Sequence, residues 1–165
     1  MTHSVTPNAA WVFGSVPRLL AFGFGSGLIR PAPGTWGTLA GWLIWVGLLQ
    51  HVPGPFMGVV LLAAFVLGCW LCQRVGAELG VPDHGGMVWD EMVAIWLVLW
   101  LSPPSWQGQL CAFVLFRVFD VIKPPPIRYF DVRLPNGFGV MLDDILAAVY
   151  SLIVMFFLVQ TGWLV

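Results

Sequence analysis

Five apolar runs take up much of the chain and limit what it can fold into. They span residues 39–49, 56–72, 92–101, 110–119 and 145–159. A helix that crosses a bilayer needs about 20 mostly apolar residues. The second and last runs, extended to their neighbours, reach that length, and the first does so only from residue 35 onward. The third and fourth runs are shorter, so the sequence leaves open whether they are thin spans, an inserted hairpin or helices buried within a bundle.

The scarcity of charge indicates a membrane-embedded fold. Hydrophobic residues make up 59% of the 165 residues and charged residues 9%, whereas a soluble domain carries about 25% charged residues. The net charge of −1 gives no reason to expect nucleic acid as a partner. We therefore predict one domain over residues 1–165, with an all-α fold. It would be a polytopic membrane helical bundle with about four to five membrane-embedded helices and an N-terminal interfacial helix.

The N-terminal segment differs from the five runs. Residues 11–28, WVFGSVPRLLAFGFGSGL, are apolar but interrupted by Pro17 and by Gly23, Gly25 and Gly27. This pattern predicts a helix that lies at the membrane interface or packs on the bundle and leads into a loop. We expect residues 1–15 to be poorly ordered.

The distribution of charge predicts an orientation. The connections QHVPGP and SPPSWQGQ contain no charged residue, and if all five runs cross the membrane, every basic residue falls on the other side. These residues are Arg18, Arg30, Arg74, Arg117, Lys123, Arg128 and Arg133. Short cytoplasmic connections are enriched in lysine and arginine. The charged side is therefore predicted to face the cytoplasm.

Two adjacent acidic pairs stand at the borders of apolar runs. They are Asp90–Glu91 and Asp143–Asp144. Capping of a helix N-terminus explains one carboxylate in each pair, but two like charges about 4 Å apart repel by about 4 kcal/mol at an effective dielectric near 20. A divalent cation would reverse that cost, and Mg²⁺ prefers oxygen ligands. For each pair alone capping and metal binding are both open, and together with Asp120 on the same side the two pairs favour a metal site.

The fourth run ends with alternating basic and acidic residues. Arg117, Asp120 and Lys123 are three residues apart, so Asp120 is a helical neighbour of both cations. Three prolines at 124–126 then end the helix. One interpretation is a structural ion pair at the membrane border, with Arg128 reaching lipid head groups. The alternative is that Lys123 and an arginine hold a phosphate next to the metal.

Two glycine-rich segments could approach a ligand closely. GFGSGLIRPAPGTWGTLAG includes Gly34 and Thr35, and DHGGMVWDE places His84 six residues before Asp90. Backbone N–H groups of such a loop can bind an anion, although glycine is also common where membrane helices pack together. His84 could serve as acid, base or ligand, or it could be structural.

Four motifs together resemble one family. GFGSGL…PAPGTWGTLAG, DHGGMVWDE, FRVFDVIKPPPIRYFD and GFGVMLDD occur in the order found in the phosphatidylglycerophosphatase A family. The resemblance covers about residues 23–159. One departure is Thr38, where the family pattern has serine, and a hydroxyl is retained.

The resemblance implies an all-helical, Mg²⁺-dependent lipid phosphatase of the bacterial inner membrane, multi-pass, with its active site on the cytoplasmic side. It would hydrolyse phosphatidylglycerophosphate to phosphatidylglycerol and inorganic phosphate in glycerophospholipid biosynthesis. Its partners would be that lipid substrate and the surrounding membrane lipids; the oligomeric state is left open. The candidate catalytic residues are Asp90, Glu91, Asp120, Asp143, Asp144 and His84. Of these, Glu91, Asp120, Asp143 and Asp144 are the candidate metal ligands, and the candidate substrate-binding residues are Lys123, Thr35, Arg117, Arg128 and Gly34.

Several alternatives stand beside this interpretation. Water could attack the phosphate directly, or Asp143 or Asp144 could form a covalent intermediate. A CDP-alcohol phosphotransferase would need the pattern D-x2-D-G-x2-A-R-x8-G-x3-D-x3-D, which no segment fits. A non-enzymatic cation or lipid transport protein would place polar groups at mid-helix, yet the first, second and last runs are apolar through their centres.

Overall fold

A computed structural model describes residues 6–164 of the chain, apart from the side chains of residues 130 and 131. The regular structure in that part is helical, which confirms the all-α prediction. The α-helices are α1 (Ala9–Phe13), α2 (Val16–Ala21), α3 (Pro33–Gly47), α4 (Gly54–Leu79), α5 (Trp89–Trp100), α6 (Trp106–Ile122), α7 (Ile127–Arg133) and α8 (Gly137–Gln160), with 3₁₀ segments at Gly23–Leu28 and Leu49–His51.

The centre of the bundle is formed by α5 and α8. Helix α5 packs against α3, α4, α6 and α8, and α8 packs against α4, α5, α6 and α7. Nine of the twelve residues of α5 are buried. The third apolar run is therefore a helix enclosed by other helices, which explains how it can be apolar all round and yet short.

The outer surface of the bundle is apolar. Exposed large apolar side chains follow the outer faces of α4, α6 and α8, including Phe56, Val59, Leu62, Val66, Val114, Val118, Ile153, Phe156 and Phe157. Soluble proteins rarely expose apolar patches of this extent. Such a surface suits a lipid environment.

Two helices in the described part of the chain are long and apolar enough to cross a membrane, α4 with 26 residues and α8 with 24. This is fewer than the four to five membrane-embedded helices predicted. Helices α3, α5 and α6 have 15, 12 and 17 residues. At 1.5 Å per residue they are about 18 to 26 Å long, shorter than the hydrocarbon core of about 30 Å.

The N-terminal segment forms two short helices where one was predicted. Asn8 caps α1, accepting a hydrogen bond from the Trp11 N–H, and Pro17 lies in the first turn of α2. Ser15, between the two helices, is extended, and a proline in the first turn suits the start of α2. The side chain of Arg18 in α2 then pairs with Glu78 at the end of α4, with Nε 2.7 Å from Oε2. Residues 1–5 of the N-terminal stretch lie outside the described part.

The start of α8 differs from the prediction. The helix begins at Gly137, six residues before Asp143, and the side chain of Asn136 caps it by accepting from the Gly139 N–H at 2.9 Å. The prediction that Asp143 and Asp144 open this helix is therefore wrong. Capping cannot account for either carboxylate, because both lie about two turns into the helix. Asp90 and Glu91, by contrast, do lie in the first turn of α5.

Candidate active site

Carboxylates from α5 and α8 meet at one end of the bundle. Asp90, Glu91 and Asp144 each offer a carboxylate oxygen, and these three oxygens lie within 4.8 Å of one another. Asp90 and Asp144 are 6% and 4% exposed, and the Glu91 side chain is 13% exposed. The packing of α5 on α8 brings the three together. We call these three side chains the carboxylate cluster.

Arg117 connects α6 to this cluster. Its Nη1 lies 2.6 Å from Oδ2 of Asp120, one turn further along α6, and 3.9 Å from Oε1 of Glu91. Asp120 is also a charged neighbour of Asp144. Acidic side chains from three helices thus converge, and one guanidinium offsets part of their mutual repulsion.

Asp143 faces Lys123 across the junction of α6 and α8. Lys123 ends α6 in the left-handed conformation, with φ 45°, and its Nζ lies 2.5 Å from Oδ2 of Asp143. The Tyr150 hydroxyl of α8 donates to the carbonyl of Pro125 at 2.8 Å, so the proline segment is fixed against α8. The lysine is therefore held at the same end of the bundle as the carboxylate cluster.

The N-terminal turn of α3 covers the Glu91–Arg117 pair. A Cβ atom at Gly34 would lie 2.4 Å from Oε1 of Glu91 and 3.0 Å from Nη2 of Arg117. The absence of a side chain at position 34 is what allows this approach. Thr35, in the same turn, is half-buried.

Thr38 anchors Arg117, a role that the sequence did not predict. Its side chain is fully buried. The Thr38 hydroxyl donates to the carbonyl of Gly34 at 2.8 Å and accepts from Nη1 of Arg117 at 3.3 Å. The sequence signal that could have indicated this role was a hydroxyl one helical turn after Gly34, on the glycine-rich face of α3.

Among the described residues, three buried polar atoms at this site have no hydrogen-bond partner: Oε2 of Glu91, Oδ2 of Asp144 and Nε of Arg117. Buried polar atoms are almost always hydrogen-bonded, so these three are available to a ligand. The two carboxylate oxygens suit a cation, and an all-oxygen donor set suits Mg²⁺. The arginine N–H suits an anion such as phosphate. The residues therefore fit a hard divalent cation with an anion beside it.

His84 lies in the loop between α4 and α5 and is not part of the carboxylate cluster. Its Nδ1 accepts from the Gly86 N–H at 3.1 Å, and its ring centroid is 5.9 Å from that of Phe22. Burial, and then the positive charge of Arg30, lower the pKa of His84 below its ordinary value. The neutral imidazole is thereby favoured, which suits a structural acceptor better than a proton donor. Arg128, on α7, is exposed.

Comparison with known proteins gives a consistent result. The model of the family "Phosphatidylglycerophosphatase A" matches residues 19–159. A phosphatidylglycerophosphatase A of Haemophilus influenzae is 56% identical over 140 residues, covering 84% of this chain and 86% of the relative. One of Escherichia coli is 41% identical over 142 residues, covering 86% and 82%.

A third relative, from Bacteroides thetaiotaomicron, is 38% identical over 146 residues, covering 84% of this chain and 90% of the relative, and is provisionally named a phosphatidylinositol-3-phosphatase. No solved structure matches the chain significantly. The family model and these relatives point neither to a CDP-alcohol phosphotransferase nor to a transport protein.

Proposed function

The chain belongs to the phosphatidylglycerophosphatase A family, and from this membership we propose that it hydrolyses phosphatidylglycerophosphate to phosphatidylglycerol and inorganic phosphate in phospholipid biosynthesis. The observation that carries the proposal is the convergence of acidic side chains from α5, α6 and α8 around unpartnered carboxylate oxygens. Arg117 and Lys123 provide positive charge at the same end of an otherwise apolar bundle.

The proposed cofactor is Mg²⁺. Glu91 and Asp144 would hold it through their unpartnered oxygens, with Asp90 beside them. Asp120 and Asp143 are further candidate ligands at the border of the cluster, each now paired with a basic side chain. When bound, Mg²⁺ supplies positive charge that offsets the charge of the phosphoryl oxygens.

The phosphate would be held by side chains that already face the cluster. Nε of Arg117 has no partner and can donate to a phosphoryl oxygen. Lys123 can share its ammonium between Asp143 and the phosphate. Gly34 lies in the first turn of α3, where the positive end of the helix dipole favours an anion. Thr35 would contribute its hydroxyl, because its N–H already donates to the carbonyl of Ala32 at 3.0 Å.

Hydrolysis is proposed to proceed by direct attack of water on phosphorus. A carboxylate of the cluster accepts the water proton, the bond between phosphorus and the glycerol oxygen breaks, and that oxygen takes up the proton from the carboxylate as phosphatidylglycerol leaves. Asp90 is suited to the role of base because it is buried in the cluster and is not one of the two residues whose unpartnered oxygens would hold the metal. A covalent intermediate on Asp143 or Asp144 is the alternative route.

We further propose a multi-pass arrangement in the inner membrane, with the site on the cytoplasmic side. The N-terminal ends of α3, α5 and α8 lie at the site together with the C-terminal end of α6. The basic residues lie in segments at or leading to that end, whereas the connections between α3 and α4 and between α5 and α6 have none. The positive-inside rule then places the site in the cytoplasm.

The test is release of inorganic phosphate by the purified protein in detergent. Phosphatidylglycerophosphate should be hydrolysed in the presence of Mg²⁺, and EDTA should abolish the reaction until Mg²⁺ is restored. Phosphatidylinositol 3-phosphate and phosphatidic acid serve as competing substrates, given the name of the Bacteroides relative. If the protein releases phosphate from neither phosphatidylglycerophosphate nor the inositol lipid, the proposal is refuted. If it hydrolyses the inositol lipid faster, the inositol lipid is the substrate.

A further inference from the structure

An apolar groove lies between α4, α5 and α8, beside the carboxylate cluster. Its volume is about 290 Å³, and its lining side chains are all apolar. Val93, Leu97 and Trp100 of α5 form one side, Gly58 and Phe65 of α4 the other, and Ile145 of α8 completes it. The groove therefore suits a hydrocarbon chain better than a polar ligand.

The groove begins where the cluster ends. Asp90, Val93, Leu97 and Trp100 are spaced i, i+3, i+7 and i+10 on α5, a spacing that places them on one face of the helix. Ile145 directly follows Asp144 on α8. From Val93 to Trp100 the groove runs for about 10 Å at 1.5 Å per residue, leading away from the charged end of the bundle.

The groove also opens toward the outer face of the bundle. Leu62 lines it and is 64% exposed, and α4, on which Leu62 lies, is one of the two helices able to cross a membrane. A chain could therefore enter sideways from the bilayer. A larger groove of about 740 Å³, lined by Phe24 and Leu43 among others, lies on α3 and the 3₁₀ segment before it, and none of its lining residues belongs to α5 or α8, the helices that carry the cluster.

We propose that the α4–α5–α8 groove binds one acyl chain of the lipid substrate while the phosphate lies at the carboxylate cluster. This inference rests on the proposed function, because a phosphatase acting on a membrane lipid must hold a head group and a chain that are covalently joined. Because the chain and the head group are joined through glycerol, a chain held in the groove aligns the phosphate with Asp90 and Asp144.

Photolabelling of the wild-type protein tests the occupant directly. The protein is placed in phosphatidylcholine nanodiscs with phosphatidylglycerophosphate that carries a diazirine in its acyl chain, and labelled residues are mapped by mass spectrometry. Labelling at Phe65 and Trp100 should be suppressed by unlabelled phosphatidylglycerophosphate but not by extra phosphatidylcholine. Val59 is the internal control, because it is 65% exposed on α4 but does not line the groove. Equal competition at all three positions would mean bulk lipid only and would overturn the inference.

A substitution that fills the groove gives a second test. A Cβ atom at Gly58 would lie 3.6 Å from Trp100, an ordinary contact, so Gly58→Leu can extend into the groove without a backbone clash. Its KM for diacyl substrate should rise about tenfold, while turnover of the deacylated head group stays unchanged. Gly47→Leu is the matched control, since nothing lies within 4 Å of a Cβ there. Equal effects of Gly58→Leu on both substrates would contradict the inference.

The experiments distinguish a failure of the acyl-chain groove from a failure of the proposed function. Normal phosphate release with unselective labelling would overturn the acyl-chain groove and leave the proposed function intact. Selective labelling without phosphate release would support the groove and remove the proposed function.

Discussion

Arg117 is the side chain with contacts to the most parts of the site. It reaches Asp120 on its own helix, Glu91 on α5 and Thr38 on α3. The spacing of Arg117 and Asp120 predicted their pairing, because residues three apart on a helix are neighbours. The contacts with Glu91 and Thr38 could not be predicted, since they depend on how α3, α5 and α6 pack. The pairing of Lys123 with Asp143 on α8 depends on packing in the same way.

Removal of the Thr38 hydroxyl should lower kcat. In Thr38→Val, Nη1 of Arg117 loses one of its acceptors, keeping Asp120, and the Gly34 carbonyl loses the hydroxyl donor. A hydrogen bond to a charged group contributes about 1.5–3 kcal/mol, so we expect a loss of about 10- to 100-fold, with a smaller change in KM. Thr38→Ser keeps the hydroxyl and should retain most activity. Equal losses in Thr38→Val and Thr38→Ser would show that the methyl group, not the hydroxyl, is what matters.

The apolar runs predicted where the long helices lie along the chain, but they predicted less well where each helix begins and ends. The centres of α3, α4, α5, α6 and α8 coincide with the five runs. The predicted start of α8 was wrong. Gly137 and Gly139 precede the hydrophobic run, so a helix over these residues depends on capping by Asn136 and on packing against α4. The carboxylates of Asp143 and Asp144 were found because adjacent like charges in an apolar segment need a partner, wherever the helix starts.

The close packing of α3 against α5 depends on Gly34. In Gly34→Ala the new Cβ would press on Oε1 of Glu91 and on the guanidinium of Arg117. Both are ends of flexible side chains, so the helix should still form while the site is displaced. We expect kcat to fall at least tenfold with unchanged helical content by circular dichroism.

Gly47→Ala is the matched control at the other end of α3, where a Cβ would meet nothing within 4 Å. It should keep full activity. If Gly34→Ala were as active as Gly47→Ala, the contact between α3 and Glu91 would have no role in turnover.

For the molecule as a whole, composition predicted a helical membrane protein but could not count its crossings. The apolar outer face and the two long helices agree with that prediction. The sequence could not decide whether the short helices α3, α5 and α6 cross the membrane, because a buried helix and a thin span share the same apolar pattern. Their place in the membrane is best tested by measuring whether a membrane-impermeant reagent reaches cysteines introduced beside them.

Cysteine labelling in spheroplasts measures the topology. After the native Cys69, Cys72 and Cys111 are replaced by alanine, single cysteines are introduced at Gln107 and at Val132, both exposed. The multi-pass arrangement predicts that a membrane-impermeant maleimide reacts with Gln107→Cys in intact spheroplasts and with Val132→Cys only after lysis. The reverse pattern, or equal reaction at both, would contradict the proposed orientation.

Metal binding by the purified protein tests whether the carboxylate cluster holds Mg²⁺. Titration calorimetry with Mg²⁺, supported by electron paramagnetic resonance with Mn²⁺, should show saturable binding to the wild type. Asp144→Asn removes one unpartnered carboxylate oxygen of the cluster and should raise the Kd at least about tenfold and abolish phosphate release while the protein stays folded. Glu78→Gln, which alters the pair with Arg18 outside the carboxylate cluster, should change neither. Unaltered Mg²⁺ affinity and near-normal activity in Asp144→Asn would contradict the account.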